Sequence, residues 1–579
     1  MELKKSPYDA KIWTKSYDKH VNHNLPYPTE GLGVLFDRAM KKYPDRIACY
    51  FMEREMTFQE LNDYVHSFAT FLQKNGLNKG DRVAINLANC QQYLVAHFAT
   101  LLAGGVASGC SPLMSATEIA YQINDSGAKF FVTLDAYYEK VLTKVLDKVP
   151  NLETIITTNI SDYMGLSSIK VALGKMIGKI PKGKVIPHPG KNVLDFKEVI
   201  KTERNVQNVE IDIEKDLALL QYTGGTTGLP KGTELTHKNI ISNITQISTW
   251  IDRTQAEQEV SVNLSAFPLF HLAGLAMSMT TLYLSASQIL IANPRDSKHI
   301  IKEMIAKKPV MMVNVPTLYL AIKNNEMVKN IPNEVLNEVE VYISGAAPFP
   351  AEAINDFEST LAAKNKVMEV YGMTETSPIL TMNPYYGKKK IGTVGIPVPD
   401  TEIRLVDVET GEQVELGKPG EIICKGPQVT RGYYNKPEAN SKTIDIDGFL
   451  HTGDVGVMDE DGYITIVDRT KDMLIVSGYK VYSVHVEDIL TKHPNIEMVA
   501  IIGLKDPDRP GSETVKAVVQ LKEGIEPTDK IRSELKNYAA EHLSKYENPR
   551  LWEFRETLPL TTVGKVLKRA LREETKESN

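Results

Sequence analysis

Between residues 57 and 133 the chain alternates repeatedly between apolar runs suited to buried strands and segments of helical character. Thr57-Phe58-Gln59-Glu60 is a capping box that opens an amphipathic helix running to about Asn75. Gly80-Asp81-Arg82 then turns into Val83-Ala84-Ile85-Asn86-Leu87, a continuous apolar strand of the kind covered on both faces in a parallel sheet. A helix from about Gln91 to Leu102, a strand over 104–109, a helix from Glu118 to Ser126 and a strand from Lys129 to Thr133 follow. Such β-α alternation predicts an α/β fold with a wound sheet flanked by helices. At 579 residues the chain is too long for one core, and two to four structural units are expected.

Composition narrows the function. With 42% hydrophobic and 24% charged residues the chain has an ordinary globular balance. A formal net charge of −6 argues against a nucleic-acid partner, whose footprint would be basic. Cys49, Cys90, Cys110 and Cys424 form no metal-ligand spacing and are too few for a disulfide framework, which fits a reducing cytoplasm. The start, Met1-Glu2-Leu3-Lys4-Lys5, lacks the apolar core of a signal peptide. The uncharged run Leu272 to Ala292 carries Ser278, Thr280, Thr281, Ser285, Ser287 and Gln288, so a buried helix followed by a buried strand is expected rather than a membrane span.

Chemistry concentrates in Tyr222-Thr223-Gly224-Gly225-Thr226-Thr227-Gly228-Leu229-Pro230-Lys231-Gly232-Thr233. A short strand (Leu217 to Leu220) precedes this loop, and Thr236-His237-Lys238-Asn239 opens a helix after it. Glycines that let the backbone approach closely, with several Thr hydroxyls, suit phosphate. The P-loop of NTPases does not fit, because Lys231 sits between Pro230 and Gly232 instead of running into a helix.

Downstream, the strand Val339 to Ile343 ends in Ser344-Gly345-Ala346-Ala347-Pro348, and Val367 to Val370 ends in Tyr371-Gly372-Met373-Thr374-Glu375-Thr376. Ligands of α/β sheets bind beyond such strand ends. Tyr371 offers a flat face for a base, Thr374 a hydroxyl for phosphate, and Glu375 a hard oxygen for Mg²⁺. Asp454, in His451-Thr452-Gly453-Asp454, can accept both hydroxyls of a ribose, and Arg469 can donate to ribose or phosphate oxygen. Beyond Lys471 the pattern becomes α+β, with short strands around 473–476, 498–504 and 514–521 and helices over 483–490 and about 531–543. Arg572 to Asn579 is charged and is expected to be disordered.

These motifs, in this order, resemble those of the adenylate-forming superfamily of acyl-CoA synthetases, peptide-synthetase adenylation domains and firefly luciferase. Pro112-Leu113 and Tyr121-Gln122-Ile123-Asn124-Asp125-Ser126-Gly127-Ala128-Lys129 look most like fatty-acyl-CoA ligases, and the resemblance spans essentially the whole chain. It implies a large N-terminal domain of wound β-sheets over 1–470 and a small, mobile α+β C-terminal domain over 471–579, hinged near Lys471. It implies ATP, Mg²⁺ and CoA as co-reactants of a small carboxylic acid, which is activated as acyl-adenylate with release of AMP and pyrophosphate. For nucleotide it points to Thr223, Gly224, Gly225, Thr226, Thr227, Gly228, Lys231, Gly345, Ala346, Ala347, Glu369, Val370, Tyr371, Gly372, Met373, Thr374, Asp454 and Arg469. For metal it points to Glu375 and Thr226. Lys565, in Pro559-Leu560-Thr561-Thr562-Val563-Gly564-Lys565, matches the catalytic-lysine motif, with Thr374, Glu375 and His271 beside it in catalysis.

The resemblance also assigns Ser477, Gly478 and Tyr479, with the hinge Lys471, to the CoA tunnel. His271, Gly274, Leu275, Ile247 and Gly345 are assigned to an acyl pocket roomy enough for a medium- or long-chain acid. His271 fits either a core histidine or a group beside the acyl carbonyl. An alicyclic or aromatic acid, or a carrier protein as acceptor, are the alternatives. The pattern departs from the ligases at Tyr482-Ser483-Val484-His485-Val486-Glu487, where relatives tend to read Tyr-Pro-x-Glu-Ile-Glu. The insert from Asn159 to Pro189, with Met164, Leu166, Ile169, Val171, Leu173 and Met176 among five lysines, is either a surface helical excursion or a peripheral membrane contact. A monomer or a homodimer is compatible with the sequence.

Overall fold

The computed structural model describes residues 6–223, 229–252, 261–477, 479–506, 509, 512–560 and 566–577. A large domain is built on two mixed sheets. The seven-stranded sheet runs in the order Asn192–Asp195, Thr154–Thr158, Phe130–Leu134, Arg82–Asn86, Val106–Gly109, Leu217–Thr223 and Lys231–Thr236. Only the last strand in that order is antiparallel to its neighbour, with Thr223 opposite Lys231. The nine-stranded sheet has the parallel strands Val262–Ser265, Met311–Asn314, Val341–Ser344 and Val367–Gly372 at its centre.

Helices between the two sheets close the largest core. Phe58–Lys74 begins at the predicted Thr57/Glu60 capping box, and Gln91–Leu102 has the predicted bounds. His237–Trp250 is capped by Thr236 and Asn239. Their buried side chains pack with Val83, Ile85 and Phe130 of one sheet and Ala48, Cys49 and Leu290 of the other, so apolar area is removed from water on both sides of the helix layer. Leu272–Tyr283 is the buried helix expected in the uncharged run, and Ser287–Leu290 is its strand. No helix among the described residues is long and apolar enough to cross a membrane.

A four-stranded antiparallel sheet, Glu402–Val406, Gly420–Lys425, Leu450–Met458 and Ile464–Arg469, carries the chain to the small domain. There Ile496–Lys505, Glu513–Leu521 and Leu551–Arg555 form a sheet packed by Ser483–Thr491 and Asp529–His542.

The expectation of disorder after Arg572 is corrected within the described residues: Lys568–Glu577 is a helix. Its composition is as charged as read, but Leu571 is fully buried with Ala500, Ile502, Val518 and Leu558. Arg572 also pairs with Asp472 at 2.8 Å. A buried apolar anchor and tertiary ion pairs, including that of Glu574 with Arg555, order a segment whose composition alone points to solvent.

Candidate active site

The strands Val341–Ser344 and Val367–Gly372 are in parallel register, Ser344 opposite Glu369, so the turns beyond them lie side by side. Gly345 permits that approach, since a Cβ there would stand 2.8 Å from Val370 Cγ2. Ala346, at φ 66°, takes the next position in left-handed conformation, and Ala347 follows, half-buried.

Tyr371 closes the second strand and donates its hydroxyl to Asp454 Oδ2 at 2.7 Å. Asp454 and Arg469 face each other across the hairpin of Leu450–Met458 and Ile464–Arg469, and Arg469 Nε donates to Asp454 Oδ1 at 2.8 Å. Burial and the Asp454 carboxylate push the Tyr371 hydroxyl well above its ordinary range, so it remains a donor. The same carboxylate holds the Arg469 charge in place.

Glu375 is buried. Its Oε1 accepts from the Tyr433 hydroxyl at 2.7 Å, and its carbonyl accepts from Thr430 N at 2.8 Å. Burial pushes its carboxyl pKa up, and the Tyr433 hydrogen bond, with Arg469 and Lys231, opposes that rise. Lys231 Nζ stands 4.6 Å from the centre of the Tyr433 ring, which links the strand after the glycine loop to the acidic side of the cleft. The strand before the loop is fixed by Tyr222, whose hydroxyl donates to Asp125 Oδ2 at 2.7 Å, while Lys436 Nζ donates to Asp125 Oδ1 at 2.9 Å. Thr223 ends that strand.

Glu369 accepts from Gly392 N at 2.9 Å, and burial raises its pKa to about 7. Gly372 lies against the Pro378 carbonyl, where a Cβ would overlap it.

An apolar pocket opens beside these turns, lined by Phe267, His271, Ala273, Ala276, Met277, Val313, Ile343, Gly345, Ala346, Val370, Gly372, Met373, Thr374, Pro378, Ile379 and Met382. His271, Gly345 and Thr374 therefore line the same pocket. Three other expected pocket residues do not line it. On the helix Leu272–Tyr283, Ala273, Ala276 and Met277 share the face toward the pocket, while Leu275, about 200° from Ala273 at 100° per residue, turns into the core between the sheets. Ile247 packs behind the wall with Met277, and Gly274 lies against the carbonyls of Phe267 and Pro268.

In the small domain Ser477, at φ 52°, donates its backbone N–H to Ser512 Oγ at 2.9 Å, and exposed Tyr479 stacks on Tyr546 with ring centres 4.7 Å apart. Lys471 is exposed just past Arg469. Lys565, Gly478, Gly224, Gly225, Thr226, Thr227 and Gly228 lie outside the described residues.

The domain junction carries a polar cluster of its own. Asp468 accepts from the Ser483 backbone N–H and, at 2.9 Å, from Ser483 Oγ. Lys568 Nζ donates to Ser483 Oγ at 2.7 Å and pairs with Glu487 Oε1 at 2.6 Å. Proline at 483 could not make the first of these bonds. Tyr433, Asp125, Lys436 and this cluster were not assigned from sequence. The stretch around Asp125 was visible, but a lone Tyr or Asp has no spacing that ties it to a distant partner.

The AMP-binding enzyme family model matches residues 36–434, and the model of the AMP-binding enzyme C-terminal domain matches 485–565. The chain belongs to this family of AMP-binding enzymes, the adenylate-forming ligases. It is 35% identical over 572 residues to the long-chain-fatty-acid–CoA ligase of Bacillus subtilis, covering 98% of this chain and 99% of the relative. It is 36% identical over 570 residues to the ligase of the same name from Yersinia pestis, covering 97% and 98%. Among solved structures, ATP-bound MatB from Rhodopseudomonas palustris is similar at TM-score 0.78 and 28% identity, covering 94% of this chain and 99% of that one. The anthranilate CoA ligase AuaEII in complex with anthranoyl-AMP, at TM-score 0.81 and 23% identity over 96% and 98%, shares the fold.

Proposed function

We propose that the protein is an ATP-dependent acyl-CoA synthetase acting on medium- or long-chain fatty acids. The observation that carries the proposal is the junction of two unlike surfaces: a polar cleft holding Tyr371, Asp454, Arg469 and Glu375, and an apolar pocket meeting it at Thr374 and His271. An acid whose tail fills the pocket presents its carboxylate to the cleft, where a nucleotide's α-phosphate would lie. The long-chain-fatty-acid–CoA ligase relatives support the chain-length reading.

Asp454 is suited to the ribose hydroxyls, the Tyr371 face to adenine, and Thr374 to the α-phosphate. The carboxylate oxygen attacks phosphorus and pyrophosphate leaves; the CoA thiol then attacks the acyl carbon and AMP leaves. Bringing two anions together is the difficult part, so Arg469, Lys231 and Lys565 act by holding positive charge where negative charge gathers. Glu375 fits a magnesium ion in its donor chemistry, as a buried carboxylate within the influence of Lys231 and Arg469. The remaining ligands would be phosphate and water oxygens, as that ion ordinarily takes them. Such an ion would neutralise phosphate charge. Residues 471–579 are proposed to turn about Lys471 between the two half-reactions, so that Lys565 serves adenylation and Gly478 the thiol step.

Incubation with ATP, Mg²⁺, CoA and a panel of acids from acetate to palmitate, with benzoate, tests the proposal. AMP, pyrophosphate and thioester should form in equal amounts, with a graded optimum among the longer acids, since one methylene changes such discrimination by only about 1–3 kcal/mol. ADP and phosphate as products, or a strong preference for acetate, would refute it.

A further inference from the structure

The helix Ser168–Met176 is turned inside out. Ile169, Leu173, Met176 and Ile177 recur at the spacing of one helical face, which in a soluble protein faces the core. Here they are 81%, 51%, 74% and 54% exposed, while Gly174 is buried on the opposite side against Ile180. Val185 and Ile186 add exposed apolar surface just beyond.

The segment is held firmly in this pose. Lys170 pairs with Glu53 at 2.8 Å, Asn159 Nδ2 donates to the Pro181 carbonyl at 2.8 Å, and the Tyr138 hydroxyl donates to the Ile186 carbonyl at 2.6 Å. Gly183 sits where a Cβ would overlap the Asp135 carbonyl, so the backbone is pressed onto the large domain. An anchored backbone that leaves its large apolar side chains in water presents a preformed contact surface.

Charge identifies the partner. Residues 163–194 contain six lysines and no Asp or Glu, in a chain whose net charge is −6. Lys179, Lys182 and Lys184 are exposed, and none has an acidic partner among the described residues. Apolar side chains ringed by lysines, with the neighbouring acid Glu53 already paired to Lys170, match the interface of an anionic bilayer, where the first enter the acyl boundary and the second meet headgroup phosphates. We propose that the 168–186 segment docks the enzyme on anionic lipid bilayers.

The test uses the full-length protein and vesicles of phosphatidylcholine with or without phosphatidylglycerol, containing no free fatty acid, so that binding is read independently of the reaction. Co-sedimentation should occur with phosphatidylglycerol vesicles, weaken as salt rises, and be slight with phosphatidylcholine alone. The double variant Ile169→Asp/Met176→Asp should lower the partition coefficient by more than about tenfold, as expected when two large apolar side chains no longer enter an apolar phase. Lys179→Glu/Lys182→Glu/Lys184→Glu should lower it by at least about a hundredfold, given roughly fivefold per lysine near an anionic surface. Ile446→Asp, at a lone exposed apolar residue elsewhere, should change nothing. Unchanged thermal melting of the variants excludes misfolding as the cause. Absence of binding by the parent protein, or variants that bind as it does, overturns the proposal. So does a parent protein that self-associates in sedimentation velocity through Ile169 and Met176 while ignoring vesicles, which would make this face a contact between copies.

Discussion

The cleft and the domain junction both bury carboxylates, and they satisfy them differently. In the cleft, Asp454 is held by Tyr371 and Arg469, and Glu375 by Tyr433, all within the large domain. At the junction, Asp468 of the last large-domain strand depends on Ser483, and Lys568 joins Ser483 to Glu487 from the far end of the chain. The first set survives any displacement of the small domain, whereas part of the second must break. A polar cluster that crosses a boundary can fix one orientation while remaining exchangeable, because Asp468 regains water when Ser483 leaves.

The largest effect expected is in the cleft. Glu375→Gln removes the carboxylate suited to magnesium and keeps the shape and the acceptor for Tyr433. Adenylate formation, followed by exchange of pyrophosphate into ATP, should fall by about 10²–10³-fold, the range for loss of one transition-state electrostatic contact. Thioester formation from supplied acyl-adenylate should fall far less. Equal loss in both steps would contradict the assignment of Glu375 to the phosphate side.

Lys568→Met tests the junction. It leaves Glu487 with its bond from Ile501 N at 2.7 Å but without its ammonium partner, and burial already raises the Glu487 pKa. With side-chain exposures of 13% and 17% the pair is mostly desolvated, so about 2–3 kcal/mol of small-domain stability should be lost, below the value for a fully buried pair. Denaturant unfolding that reports on Trp552 should shift to lower concentration, with less change at Trp250 of the large domain. A single unshifted transition would mean that the cluster contributes nothing.

Sequence made the cleft's skeleton legible because its residues sit at strand ends, where α/β architecture itself directs attention: Tyr371 and Glu375 after one strand, Gly345 after its neighbour, Asp454 and Arg469 across one hairpin. The partners that tune them were not legible. Tyr433 lies 58 residues from Glu375 and Lys568 lies 85 from Ser483. No periodicity relates positions so far apart. The same limit explains Leu275 and the terminal helix: membership of an apolar helix does not reveal which side faces a cavity, and composition does not reveal that Leu571 has a core waiting for it.

Glu369 supplies a smaller, pH-dependent contrast within the cleft. Folded, its carboxyl holds a proton up to about 7 against an ordinary 4.5, because burial is opposed only by Gly392 N–H. The folded state therefore binds more protons than the unfolded state between those values, and stability should fall as pH rises through that window and level off above it. Glu369→Gln, which keeps an acceptor for Gly392, should flatten this slope and raise stability above pH 7 by about 1–2 kcal/mol. A slope identical to the parent's would assign the titration to another group.

The finest distinction concerns Tyr433, whose hydroxyl is the strongest opponent of the rise in the Glu375 pKa. Tyr433→Phe keeps the ring under Lys231 and deletes only the donor, at about 1.5–3 kcal/mol for a neutral donor to a charged acceptor. Because the hydrogen bond favours the ionised carboxyl, its loss should raise the Glu375 pKa further and protonate it at pH values where the parent is charged. The adenylation rate should then drop by about tenfold at the acidic end of the pH profile and converge on the parent's at the alkaline end. That convergence separates the hydroxyl's electrostatic role from a packing role for the ring, which would lower the rate by one factor at every pH. Should the loss prove uniform, Tyr433 is a wall of the cleft and Glu375 owes its ionisation to Arg469 and Lys231 instead.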